Sequence, residues 1–279
     1  MALSGKLMTF TTDDKKKWLP HIFEHMKTIP IKAFDSIHAR KNLASIGDKR
    51  AWSFTIGSGL KKAAILWPRI LPMKWKPQYI FDIGAHRGEI ALSLSILYKP
   101  IFMVLVEPLP FCKNILENHR FAPQQRIYDC ALGRNNGWST LHVNANNASS
   151  SFLRITPGCG KLFNRNMNEI YSIEVPVRTL DEIFIESGIE RIDLIKLDVQ
   201  GYELEVITGG LEALKNTKVI ITEVSFFEHY IDQPLFFDIY FVLNRNSFEL
   251  IATYDYVFDE DGMPLQCDAV FINKHFPIA

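Results

Sequence analysis

Residues 79–88, Tyr-Ile-Phe-Asp-Ile-Gly-Ala-His-Arg-Gly, constrain this chain more than any other stretch. An apolar run that ends in a glycine turn and then opens a helix predicts a buried strand leading into a ligand-facing loop. Such a turn leaves backbone N–H groups and room for close approach. Glu107 closes the next apolar run, 101–106, about 20 residues on, where doubly wound sheets place an acid that binds a ribose hydroxyl pair. The spacing is Asp-x-Gly-x-x-x-Gly. Dinucleotide sites use Gly-x-Gly-x-x-Gly, so the pattern argues against an NAD-dependent oxidoreductase.

From residue 78 onward the rhythm is strand, helix, strand. Apolar runs at 79–84, 101–106, 126–132, 192–199 and 219–224 predict five strands. Runs at 248–256 and 269–273 predict a terminal hairpin across an acidic turn. Helical spacing is found at 89–97, 110–119, 204–214 and 235–244. Pro110 suits a first helical turn, where its missing N–H costs nothing. Thr179 with Glu182 predicts a capping box for a further helix, closed by Gly188. Residues 138–143 and 173–178 alternate and suit an added antiparallel pair, joined by a long loop over 144–168. This alternation predicts an α/β fold: a doubly wound, mainly parallel seven-stranded sheet with a helical N-terminal appendage.

Charge divides the chain in the same place. Residues 1–77 hold 15 Lys/Arg against 5 Asp/Glu, and residues 78–279 hold 16 against 26. The expected organisation is a basic helical appendage over 1–77 and a ligand-binding domain over 78–279. A basic segment on an acidic body implies either an anionic partner or mutual attraction of the two parts. Residues 60–75 mix Lys and Arg with Trp, Leu and Ile, broken by Pro68 and Pro72. They read as a brace on the sheet, a lid, a homodimer contact or a peripheral membrane patch. Four cysteines without a Cys-x-x-Cys pair suit reduced thiols in a cytoplasmic setting. The first 17 residues carry no apolar signal-peptide core, and no run of 18 apolar residues predicts a membrane span.

Six ordered blocks then carry a resemblance. They are Phe81-Asp82-Ile83-Gly84-Ala85-His86-Arg87-Gly88, Val106-Glu107-Pro108-Leu109-Pro110, Ala131-Leu132-Gly133, Val175-Pro176-Val177-Arg178-Thr179-Leu180-Asp181, Asp193 through Glu203, and Thr222-Glu223-Val224. Together they resemble the FkbM family of S-adenosylmethionine (SAM) methyltransferases over roughly residues 78–225. The family usually shows Asn at His86 and Glu at Gln200, and residues 1–77 have no counterpart in it.

The resemblance implies SAM as cofactor and O-methylation of a sugar in a glycan, glycolipid or nucleotide-linked sugar. The basic appendage is consistent with a phosphorylated or lipid-linked acceptor. Nucleic acid is not expected as substrate, because the body is acidic and no Asn-Pro-Pro-Tyr-like motif follows the strand at 192–199. Gly84, Ala85 and Gly88 would form the turn under the methionine part of SAM. His86 would donate a hydrogen bond there, and Asp82 would order the loop. Glu107 would take the ribose hydroxyls and Pro108 would lie against adenine. Asp129, Cys130 and Ala131 would flank the adenine edge.

Asp198 ends a strand beside the expected methyl position, as a general base or as the partner of the SAM ammonium group. Lys196 shares its strand face and needs a carboxylate, with Asp198 and Glu223 as candidates. Glu223 and His229 are further base candidates. A Mg²⁺ ion on Asp198, Glu203, Glu223 and Glu228 is conceivable, but the spacing does not demand one, and no metal is expected. A binding module of the same fold without catalysis is the alternative, favoured by His86 and Gln200.

Overall fold

The computed structural model describes Leu71, residues 75–163, residues 166–276 and residue 278. The expected appendage over 1–77, including the basic stretch at 60–70, lies almost wholly outside the described residues.

The main sheet has seven strands in the order β3-β2-β1-β7-β8-β10-β9. Strands β1 (Tyr79–Ile83), β2 (Phe102–Val106), β3 (Gln124–Tyr128), β7 (Ile192–Leu197) and β8 (Thr217–Ser225) run parallel. β10 (Pro264–Asn273) inserts antiparallel between β8 and β9 (Phe248–Phe258). The inner strands are buried on both faces, which explains their unbroken apolar runs: β2 and β7 are buried at every position. Helices α1 (Glu89–Tyr98), α2 (Pro110–Glu117), α4 (Leu180–Ser187), α5 (Glu203–Thr208), α6 (Leu211–Lys215) and α7 (Phe236–Arg245) connect them. A four-residue helix, α3, lies at Cys159–Leu162. No helix among the described residues is long and apolar enough to cross a membrane.

A second sheet of three strands, in the order β4-β6-β5, covers one side of the ligand end. β5 (Gly137–Asn144) and β6 (Glu169–Arg178) pair antiparallel, as the alternation predicted. β4 (Ala131–Leu132) adds to β6 in parallel.

The structure corrects the expected elements in three places. The predicted strand over 126–132 is two strands. β3 ends at Tyr128, the chain turns at Asp129 and Cys130, and β4 then joins the small sheet. The predicted helix over 204–214 breaks at Gly209 and Gly210. A Cβ on Gly209 would lie 2.1 Å from the Gly133 carbonyl oxygen, and one on Gly210 would lie 2.5 Å from Leu180. The helix yields there so that the α5–α6 corner can press against its neighbours. The capping box at Thr179 is half made. Thr179 Oγ1 accepts from the Glu182 amide, but the Thr179 amide donates to Asn136 and the Glu182 carboxylate pairs with Arg178.

Asp193, buried at the start of β7, sets the register of β1. One carboxylate oxygen accepts from the Gln78 and Tyr79 amides at 2.8 and 3.2 Å, and the other faces Lys218 at 2.9 Å.

Candidate active site

The carboxyl ends of β1, β2 and β7 open on one crevice, closed on its flank by β4, β5 and the segment 147–152. About 600 Å³ of empty space lies among these residues, open solvent at the mouth included. One wall is apolar, with Leu109, Ala131, Leu132, Leu141 and Phe152. The other is polar, with His86, Glu107, Asp198 and Gln200.

The turn after β1 is tied down more fully than its sequence implied. The Gly84 and Ala85 amides donate to the Val106 carbonyl at 2.9 and 3.1 Å, and the Gly88 amide donates to Ala85. The His86 amide donates to Glu107 Oε2 at 2.8 Å. These four amides are therefore committed, and the expectation of a loop of free N–H donors is corrected. The glycines are also required for a different reason. A Cβ on Gly84 would sit 1.8 Å from the Asp198 carbonyl oxygen, and one on Gly88 would sit 2.7 Å from the Phe121 ring. Both have positive φ, 78° and 85°. They permit β1 to touch the Asp198 turn and α1 to touch Phe121; neither Gly88 nor Ala85 lines the crevice.

Glu107 is the organising acid. It is 5% exposed and accepts one amide on each oxygen, from His86 and from Leu109 at 2.9 Å. A carboxylate has about four acceptor positions, so two are left toward the crevice. Burial lifts its pKa, and the two amides oppose that shift. His86 adopts φ 48° and bonds Asn147 through Nε2 at 2.8 Å, with Glu89 3.7 Å from Nδ1. Burial works against its charged form, but the Glu89 and Asn147 contacts outweigh it and the net shift is upward.

Asp82 lies beneath this turn and is 1% exposed. Its Oδ2 has no hydrogen-bond partner among the described residues. Burial raises its pKa to about 7, against the lowering field of Lys196.

Asp198 lines the crevice with its side chain 34% exposed. Lys196 Nζ lies 3.3 Å from Oδ2, and Gln200 Nε2 donates to Oδ1 at 2.6 Å. Lys196 itself is buried. Desolvation disfavours its charge, but Asp198, Asp268, Glu223 and Asp82 outweigh that, and its pKa is raised. Its second close carboxylate is Asp268 on β10, at 4.0 Å, and not Glu223 as the sequence suggested. Asp268 stands opposite Glu223 across the β8–β10 ladder. No sequence signal links residue 268 to residue 196; the antiparallel insertion of β10 does.

Glu203 is a residue the sequence undervalued. Its Oε1 accepts from the Val199 and Gly201 amides at 2.9 and 3.3 Å, clamping the turn that carries Asp198 and Gln200. Burial, then the Asp198 field, raises its pKa to about 7. The acid three residues past Gln200, opening a helix, was the available clue.

Three expected site residues fall elsewhere. Asp129 points outward to Lys113 at 2.7 Å, because β3 ends at Tyr128, four residues before the expected strand end. Glu223 does not line the crevice. It accepts from Gln266 Nε2 at 2.7 Å, and burial with neighbouring carboxylates raises its pKa well above normal. His229 is 2% exposed, packs edge-on against Phe163, and lies outside the crevice lining. Burial lowers its pKa to about 4, so it is not the near-neutral base that the sequence offered. Pro108, Cys130 and Ala131 do line the crevice, and burial pushes the Cys130 thiol up to about 12. Among the described residues no three His, Cys, Asp or Glu side chains are grouped to hold a metal ion.

Comparison with known proteins decides the family. The model of the Methyltransferase FkbM domain matches residues 82–250. This chain belongs to the FkbM methyltransferase family. It is 31% identical over 194 residues to the 2-O-methyltransferase NoeI of Sinorhizobium fredii, covering 67% of this chain and 79% of NoeI. It is 24% identical over 159 residues to Methyltransferase sdnD of Sordaria araneosa, covering 47% of this chain and 60% of that protein. Among solved structures, magnesium protoporphyrin IX methyltransferase of Synechocystis PCC 6803 with bound SAM aligns at a TM-score of 0.41 and 10% identity, covering 96% of this chain and 100% of that one.

As an FkbM methyltransferase the protein is a SAM-dependent enzyme. Its crevice fits that cofactor. An apolar slot lies beside a buried acid with two acceptor positions to spare, and beneath the adjoining turn a second buried acid, Asp82, has an oxygen with no partner among the described residues. When bound, SAM supplies an electrophilic methyl group on a sulfonium centre.

Proposed function

We propose that this FkbM enzyme methylates a hydroxyl of a sugar-containing acceptor. The observation that carries the reading is Asp198. It is a carboxylate at the end of β7, a third exposed, and held by Lys196 and Gln200 on the floor of the crevice. A hydroxyl acceptor must lose a proton during transfer, and a positioned base typically contributes about 10²–10⁴-fold. Similarity to a protein named as a 2-O-methyltransferase supports an oxygen acceptor.

The remaining roles follow from position. Glu107 takes the ribose hydroxyls of SAM on its two spare acceptor positions. Pro108, Cys130, Ala131, Leu132 and Leu141 form the adenine slot. Gly84 and His86 would face the amino-acid end, with Asp82 beneath their turn and His86 holding Asn147 across the mouth. Asp198 orients the acceptor hydroxyl and receives its proton, and Lys196 keeps that carboxylate ionised until the proton arrives. The basic composition of residues 1–77 favours an acceptor bearing phosphate. Neutralising Lys61, Lys62 and Arg69 together raises the acceptor KM if this is so; an unchanged KM removes the phosphate from the proposal.

The deciding experiment is mass spectrometry of host glycans and nucleotide-sugars with and without the enzyme. The expected result is a difference of about 14 Da, one methylene, on a sugar fragment, abolished by Asp198→Asn. Methyl transfer confined to protein or nucleic acid overturns the acceptor assignment.

A further inference from the structure

Gln200 follows two residues after Asp198 on the crevice lining, and its setting is unusually constrained. Its backbone is left-handed at φ 59°, and the following Gly201 is also positive at 92°. Glycine adopts this backbone freely, but for Gln200 it is costly unless the surroundings fix it. They do so on both sides. Ser151 Oγ donates to the Gln200 carbonyl at 2.7 Å, and Glu203 holds the Gly201 amide. A Cβ on Gly201 would meet Tyr230 and Gln233 at 3.1 and 3.2 Å.

The side chain is then read from its partners. One end of the carboxamide lies 2.8 Å from the hydroxyl of Tyr230, and the other lies 2.6 Å from Asp198 Oδ1. Tyr230 is 2% exposed, and its hydroxyl is also 3.0 Å from the Ser149 carbonyl. With Nε2 toward Asp198, the amide donates to a carboxylate, and its oxygen shares the single tyrosine proton with the Ser149 carbonyl. Turned over, it would set an oxygen against a carboxylate oxygen at the same short distance. The first orientation therefore selects the ionised form of Asp198.

We infer that Gln200 is a positioning residue, a neutral bridge from Tyr230 that orients Asp198 in the crevice and holds it as an acceptor-only carboxylate. The inference rests on the reading of Asp198 given above. A glutamate in the same place would bring a second negative charge to within 2.6 Å of Asp198. Asp198 already shares its surroundings with Asp82 on β1, Glu107 after β2, Lys196 on β7, Glu203 on α5, Glu223 on β8 and, through Lys196, Asp268 on β10. Among these described groups Lys196 is the cation, and a further negative charge at residue 200 would favour protonation of Asp198.

The test uses the full chain with Gln200→Asn, Tyr230→Phe and Asp198→Asn. Asparagine tolerates the left-handed backbone but is one methylene too short to bridge. The first readout is the initial rate of tritiated methyl transfer into the glycan extract, followed against pH. Q200N lowers the maximal rate about 10–100-fold, since an error near 1 Å in a positioned group costs that much. It also moves the acid limb of the profile to higher pH. Y230F moves both in the same direction by less, and calorimetric affinity for S-adenosylhomocysteine is unchanged in both.

The second readout needs no acceptor. In protein labelled with carboxyl-¹³C aspartate, the resonance lost in D198N titrates at higher pH in Q200N than in the wild type. Q200N and Y230F proteins with wild-type rate, acid limb and titration overturn the role of Gln200 even when D198N is inactive. A fully active D198N overturns the reading of Asp198 itself. A Q200N that fails to fold leaves Y230F to decide, and an extract without acceptor leaves the titration to decide.

Discussion

At the scale of single residues the structure reassigns causes more than it moves positions. Gly84 was expected to make room for a ligand, but the contact it spares is with the Asp198 backbone, 1.8 Å from where a Cβ would stand. Gly84→Ala should therefore unfold the protein or cost about 3 kcal/mol or more, read as a lowered urea midpoint. Gly137→Ala, where a Cβ meets nothing within 4 Å, should stay within about 0.5 kcal/mol of the wild type. Glu107 was legible because its partners are local and its distance from the glycine turn is a property of the fold. Its carboxylate also builds the turn, through the His86 and Leu109 amides. Glu107→Gln puts an NH₂ against one of those N–H donors. Calorimetry should show S-adenosylhomocysteine binding weakened about 100-fold, with the loss shared between the ligand contact and the turn. His229 was misread because a single loop histidine carries no sequence signal for burial.

At the scale of elements the strands were legible and the breaks between them were not. Continuous apolar runs give buried parallel strands wherever helices cover both faces, and β1, β2, β7 and β8 obey that rule. The division of 126–132 into β3 and β4 depends on a sheet built from residues 137–178, which no local pattern reports. The break in 204–214 depends on Gly133 and Leu180 pressing on two glycines. The pairing of Lys196 with Asp268 is likewise a property of β10 lying beside β8, one strand over from β7. Lys196→Ala would remove the buried ammonium that Asp198 and Asp268 both face, and should cost about 3–5 kcal/mol.

Asp82 makes a pH prediction for the same pair of strands. Its folded pKa, about 7, lies above the ordinary 3.8. The folded state thus binds that proton more tightly than the unfolded state, and the associated stability is full below pH about 4 and lost as pH rises through about 7. Asp82→Asn removes this term. The stability of the variant relative to the wild type should increase from pH 4 to pH 7 and then level off, measured by urea midpoints. A difference that is flat across this window contradicts the buried, high-pKa carboxylate.

At the scale of the molecule, the crevice exists because three strand ends, one small sheet and the 147–152 segment converge on it. A ligand bound there stabilises the whole cooperative unit. S-adenosylhomocysteine at 100 times its Kd should add about 2.7 kcal/mol, a rise in Tm of roughly 5–10 °C for a domain of this size. NADH should give no rise, because the glycine spacing and the apolar slot suit one nucleoside and not a pyrophosphate.

The sequence by itself determined the alternating α/β architecture, the terminal hairpin, the place of the ligand crevice and the acid at the end of β2. These features are written in short-range periodicity and in spacings of a few dozen residues, which local physics enforces wherever the chain goes. Only the tertiary structure decided that Asp268 balances Lys196, that Glu203 clamps the Asp198 turn, that Gln200 bridges Asp198 to Tyr230, and that His229 lies buried outside the crevice. Each of those depends on which segments the sheet order brings together, and on how desolvation and neighbouring charge then act on groups that are far apart along the chain.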